Sequence, residues 1–151
     1  MLKKYAFKLE AVLKLKKFNE ETCRMELGAL MLEMQKIDNQ IEYEKLQIDN
    51  YYKMQEDLVT DGGAGSRLQM IPNLIAGKTK NIQLLNRAKR KQQQLIDEKR
   101  QQLIEVKAEL QVMEKLKEKD FNAYKKALNK EIDQKVEEQT QLWLMNKKQG
   151  S

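Results

Sequence analysis

No histidine occurs in the 151 residues, which removes the commonest general base, the commonest metal ligand and every Ser-His or Cys-His nucleophile pair. Cys23 is the only cysteine, so the chain can form neither an internal disulfide nor a cysteine metal cluster, and a cytosolic address fits best. Aromatic residues make up 6%, with one proline and six glycines, a composition unlike that of a domain with a thick core. No uncharged apolar run of signal-peptide or membrane-spanning length follows the basic start, because Lys8, Glu10 and Lys14 interrupt it. The expectation is a soluble, unprocessed protein that performs no catalysis, carries no cofactor or metal and does not insert into a membrane.

What fills the chain is charge, at 34%, together with Leu, Met, Ile and Gln, which are mostly good helix formers. The breakers gather in one place, Asp61 to Ser66, then Pro72 and Gly77; elsewhere only Gly28 and Gly150 occur. Two helices follow, about residues 2–59 and 73–146, joined by a loop at about 60–72. Pro72 is placed in the first turn of the second helix.

Alternating steps of three and four run through the first arm from Leu2 to Leu58. They meet Leu9, Leu13, Cys23, Leu27, Leu30, Met34, Ile37, Ile41, Ile48 and Tyr51, with only Lys16, Glu20, Glu44 and Gln55 polar. The second arm repeats the seam more weakly from Ile71 to Met113, with Lys78, Lys89, Gln92 and Lys99 intruding. After Met113, Leu116, Phe121, Tyr124, Leu128, Ile132 and Val136 leave a single phase, which reads as a stutter. The fold predicted is all-α, a long antiparallel two-helix coiled coil forming a single domain over residues 1–151. Folding about residue 66 makes paired residue numbers sum to about 132, so Leu2 would lie beside Lys130 and residues 131–151 would overhang. Polar seam residues such as Lys16, Glu20, Lys89, Gln92 and Lys99 are expected to let the pairing fray.

Several features lie off the seam. Tyr5, Phe7, Val12, Leu15 and Phe18 exceed what a two-helix seam buries; they widen local packing or enter a groove or ring of a partner. Tyr52 and the Leu68 to Ile75 region form a second excess, read as a cap on the hairpin or as a binding patch. The basic stretch from Lys78 to Arg100 lacks interleaved aromatics and is read as a solvated face, with no nucleic-acid partner. The glycine cluster is no phosphate loop, since no Gly-Lys-Ser/Thr follows it.

Two stretches resemble the FliJ family of the bacterial flagellar type III export apparatus. The first is Tyr5-x-Phe7-x-Leu9-Glu10-x-Val12-Leu13-x-Leu15-Lys16-Lys17-x-x-Glu20-Glu21. The second is Leu116-x-Glu118-Lys119, then Tyr124, Leu128 and Glu131-x-x-x-Lys135-Val136-Glu137-Glu138, where Glu137 replaces an expected Asp. The resemblance implies a fold similar to the coiled coil of the rotary ATPase central stalk. It implies as partners the hexameric flagellar export ATPase, whose ring assembly the protein would promote, the cytoplasmic linker of the export gate, and substrate-specific export chaperones. By position, Phe7, Lys16, Lys17 and Trp143 would face the ATPase, and Tyr52, Leu74, Lys78 and Leu85 the gate. The implied location is cytoplasmic, peripheral at the inner membrane through the export apparatus.

Three other readings compete. The stalk protein of a virulence type III secretion system shares this architecture. A scaffold could use the same seam as a parallel coiled coil, against which the mid-chain glycines and the polar overhang both argue. A basic nucleic-acid-binding rod would bind with a steep salt dependence.

Overall fold

The computed structural model describes residues 4–62 and 65–150. Among these residues there are two α-helices and no strand: α1, Glu10–Thr60, and α2, Gly65–Gln149, packed on one another as a hairpin. Glu10 in the first turn of α1 and Lys147 and Lys148 in the last turn of α2 complement the helix dipoles.

Both helix starts differ from the sequence expectation. α1 begins at Glu10 rather than near residue 2, with the Glu10 N–H donating to the Phe7 carbonyl at 3.1 Å; the Leu2 end of the seam lies outside the described residues. α2 begins eight residues before the expected 73, so most of the expected loop of 60–72 is helical. Gly63 and Ala64 lie outside the described residues, as does Ser151. Pro72 therefore sits inside the helix and not in its first turn. It cannot donate to the Leu68 carbonyl. The helix persists through it because Leu68, Ile71 and Ile75 continue the three-four spacing, and Ile71 is 2% exposed.

α1 ends abruptly. The Asp61 N–H still bonds the Asp57 carbonyl at 2.9 Å, and Gly62 then turns left-handed at φ 68°, its N–H reaching the Val59 carbonyl at 3.4 Å. This is a glycine cap that ends a helix in one residue.

Burial follows the predicted seam closely. Every three-four position from Leu13 to Leu58 in α1 is buried or half-buried, and so is every one from Ile71 to Met113 in α2 except Lys89. Beyond Met113 the burial keeps the heptad phase at Lys117, Tyr124 and Glu131 while Leu116 and Ile132 stay exposed. Between these, Asp120 and Ala127 on the three-four alternation are exposed and Leu128 off it is half-buried, so the strict alternation breaks beyond Lys117, as the expected stutter has it.

The packing forms two compact units. In the unit Thr22–Ile104, Cys23, Ile41, Ile71 and Ile96 are buried, and Gln92 Nε2 donates to the Leu30 carbonyl at 2.9 Å. The Cys23 thiol lies 3.9 Å from the Lys99 carbonyl, and Lys89 pairs with Asp38 at 2.7 Å and Lys99 with Glu26. In the other unit, described residues up to Glu21 pack against α2 between Glu105 and Glu131, with Leu13 and Met113 buried and Lys16 bonded to Glu109 at 2.8 Å.

These contacts correct the expected register. Glu44 with Lys78 sums to 122, Lys16 with Glu109 and Glu26 with Lys99 to 125 and Asp38 with Lys89 to 127, all short of 132. The polar residues expected to loosen the seam instead tie one helix to the other: Lys16, Lys89, Gln92 and Lys99 each find a partner on the facing helix.

The capping geometry yields a stability test by urea unfolding. Gly62→Ala must place a Cβ in the left-handed region and should cost about 1–2 kcal/mol. Gly28→Ala and Gly77→Ala, helical positions with open space around the new Cβ, should each add about 0.5–1 kcal/mol.

Candidate functional site

The surfaces able to bind are built from what the seam leaves over, and each unit has its own. In the unit holding both terminal segments, residues 4–9 precede α1, and Tyr5 reaches across to α2. Its ring meets Phe121 edge-on at 5.0 Å and Tyr124 at 5.3 Å, its hydroxyl donates to the Lys117 carbonyl at 3.4 Å, and Lys125 Nζ sits 5.0 Å from the Phe121 centroid. One turn on, Lys117 Nζ holds the Glu10 carboxylate at 2.9 Å.

These contacts shape the local electrostatics. The hydrogen bond from Lys117 holds Glu10 below the usual carboxylate range, aided by the charges of Lys117, Lys14 and Lys17 against the opposing effect of burial. Burial pushes the Tyr5 phenol up, and the charge of Asp120 adds to it. Tyr5 therefore stays neutral and Glu10 charged across the physiological range.

The same unit contains a length of α2 with no α1 residue at its level. Every described residue after Glu131 is exposed, including Leu142 at 60%, Trp143 at 60%, Leu144 at 47% and Met145 at 58%. Lys147 Nζ covers one face of Trp143 at 5.0 Å.

Of the residues expected to face an ATPase, Phe7 is half-buried, Lys17 exposed, and Lys16 engaged with Glu109. In the observed register residue 7 lies at the level of about residue 118, so Trp143 is about 25 residues further along α2, roughly 37 Å at 1.5 Å per residue. The structure thus spreads these four along the helix and does not gather them into one patch.

In the unit Thr22–Ile104, Tyr52 is 55% and Leu74 42% exposed, while Leu85 is half-buried. Lys78 is turned inward: its Nζ lies 3.2 Å from Oε2 of Glu44, a carboxylate only 5% exposed, and 5.9 Å from the Tyr43 ring. Gln40 Nε2 supports the other Glu44 oxygen at 3.4 Å. Lys78 is thus spent on a buried ion pair, whereas Leu74 and Tyr52 are open to a partner.

Tyr5 widens the packing against α2, one of the two expectations for it, whereas the Glu44–Lys78 pair was not foreseen. Glu44 and Lys78 are each one of four polar residues that interrupt their seams, so the three-four spacing did not single the pair out. Aligning them gives a register sum of 122, which also brings Tyr5 to Lys117.

Among the described residues no helix is long and apolar enough to cross a membrane, and no group of His, Cys, Asp or Glu is placed to hold a metal ion. A family model described as "Flagellar FliJ protein" matches residues 5–147. Comparison with curated proteins and with solved structures finds no match.

The Glu10–Lys117 contact predicts an acid-sensitive clasp. A carboxylate whose folded value lies below its ordinary 4.5 stabilises fully above that pH, and its contribution is lost as pH falls through the folded value. Amide exchange across residues 10–14 should therefore accelerate as pH drops below about 4.5, relative to the intrinsic rate. Glu10→Gln should show the fast exchange already at neutral pH with no further acid step; an unchanged acid step in that variant would assign it to another group.

Proposed function

The chain belongs to the flagellar FliJ family, and from that premise we propose that it acts as the central stalk of the flagellar export ATPase. It is a component of flagellar protein export. In this reading it performs no chemistry itself; it inserts the unit bearing both terminal segments into the opening of the hexameric ATPase, promotes ring assembly and leaves hydrolysis to that partner.

The observation that carries the reading is the unpaired end of α2. Leu142, Trp143, Leu144 and Met145 are 47–60% exposed on a helix that has already passed the end of α1. Exposed apolar side chains grouped in this way mark a surface made to be covered. A helix entering a sixfold opening can meet the subunits only unequally, so its contacts must be individually weak and exchangeable. The 25-residue spread between the Phe7 level and Trp143 suits engagement along a length of pore, with Phe7, Lys16 and Lys17 meeting one depth of the ring and Trp143 another.

The unit Thr22–Ile104 is the half proposed to meet the cytoplasmic linker of the export gate and to exchange substrate-specific chaperones. Tyr52 and Leu74 are its open apolar candidates, and Leu85 is reached from the side. Lys78 is the weakest of the four, because releasing it would leave the buried Glu44 carboxylate without its cation. Attachment to the inner membrane is then peripheral, through the apparatus.

Mixing the protein with the purified export ATPase tests the reading. The intact chain should raise hydrolysis and promote rings, and Trp143→Ala combined with Leu142→Ser should reduce both by about tenfold with helicity unchanged. No effect of the intact chain on either quantity would overturn the stalk role.

A further inference from the structure

Charge is distributed very unevenly. Residues 65–100 of α2 hold nine Lys and Arg against Asp97 and Glu98, a net of +7 in a chain of net +6, so the remainder is −1. Lys78, Lys89 and Lys99 are neutralised by Glu44, Asp38 and Glu26 of α1. Lys80, Arg87, Arg90 and Lys91 point elsewhere, with no ion pair among the described residues, and Arg87, Arg90 and Lys91 line one shallow depression with Ala88 and Gln94.

Beside this basic ridge runs a second stripe at heptad spacing, one residue ahead of the seam. Positions 70, 74, 77, 81, 84, 88, 91 and 95 alternate steps of four and three. They carry large apolar residues at Met70, Leu74, Leu84 and Leu95, exposed by 61%, 42%, 52% and 47%, and small ones at Gly77 and Ala88. Where the stripe meets α1 there is a trough of about 310 Å³ lined by Gln40, Glu44, Asn81, Leu84 and Leu85. Large and small residues alternating beside a trough between two helices provide the holes into which the knobs of a third helix fit.

We infer that this face is the seat of a third helix, an amphipathic and acidic segment of a protein partner, whose apolar edge enters the Met70–Leu95 stripe and whose carboxylates meet Lys80, Arg87 and Lys91. The inference deepens the reading that this unit docks the export gate, and names the chemistry of the docking segment. A bilayer fits less well, since four apolar residues spread among Gly, Asn, Ala and Lys offer nothing to insert. Single-stranded nucleic acid fits less well because residues 65–100 contain no aromatic residue on which bases could stack.

The test uses the full chain and two ligands. One is a synthetic four-heptad helix with Leu at a and d and Glu at e and g; the other is the purified cytoplasmic portion of the export gate. Both should bind, and Leu84→Asp and the Lys80→Glu, Arg87→Glu, Lys91→Glu triple should each weaken binding about tenfold or more while melting curves stay unchanged. A version of the helix with Lys in place of Glu should not bind. Equal binding of acidic and basic helices, or displacement of the acidic helix by phosphatidylglycerol vesicles or duplex DNA without loss in the apolar variant, would overturn the inference. Gate binding that ignores these substitutions would overturn it too while leaving the gate reading intact. A gate that fails to bind while the acidic helix binds would remove the gate and leave the acidic-helix surface standing.

Discussion

Two helices that each carry a heptad seam bury the same faces in every register seven residues apart, so the hydrophobic stripe alone cannot choose among them. Here the choice is made by the residues that interrupt the stripe. Glu44 and Lys78 are polar intrusions in opposite seams, and the observed register brings the buried carboxylate within 3.2 Å of its cation. Leaving a carboxylate 5% exposed without that partner would cost far more than the pair gains. Gln92 on the Leu30 carbonyl, Lys89 on Asp38 and Lys99 on Glu26 vote for the same register. Each is worth little by itself at a half-exposed site, but together they distinguish slips that apolar burial leaves degenerate. The Gly62 cap cooperates by ending α1 abruptly enough for α2 to start at Gly65.

Where surfaces fall follows from that register. A pairing sum near 125 carries Tyr5 onto Phe121 and Tyr124, closing the segment before α1 with an aromatic contact and the Glu10–Lys117 pair. It also uses up α1 earlier along α2 than a sum of 132 would. Side chains of α2 nevertheless stay half-buried as far as Glu131, so exposure begins where the expected overhang of 131–151 does, and Leu142 to Met145 stand well beyond it. In the unit Thr22–Ile104 the same pairing directs three lysines into ion pairs and leaves the outward basic ridge and its neighbouring apolar stripe uncovered.

A thin seam also divides labour among residue types. Apolar side chains on the heptad positions hold the helices together, polar ones on the same positions define the register, and apolar ones off those positions remain for partners. The third group is large: Phe18, Met25, Leu32, Leu84 and Trp143 are all at least half exposed. Such residues can stay exposed because charges flank them and discourage indiscriminate association.

The sequence by itself determined the helical class, the antiparallel hairpin and the phase of the seam, because period 3.5 is a local property repeated over dozens of residues, and Leu13, Cys23, Ile41, Ile71, Ile96 and Met113 are buried where it placed them. The FliJ motifs near the two ends were legible for a similar reason: order along the chain needs no folding to be read. The start of α2, the helical placement of Pro72 and the register were decided only by the tertiary structure. A glycine-rich stretch has no strong intrinsic preference, so whether it forms a loop or joins a helix depends on what Leu68 and Ile71 bury against. A seven-residue slip is invisible to periodicity, so the partners of Tyr5, Lys16 and Lys78, and with them the surfaces left open for binding, existed only once the two helices had met.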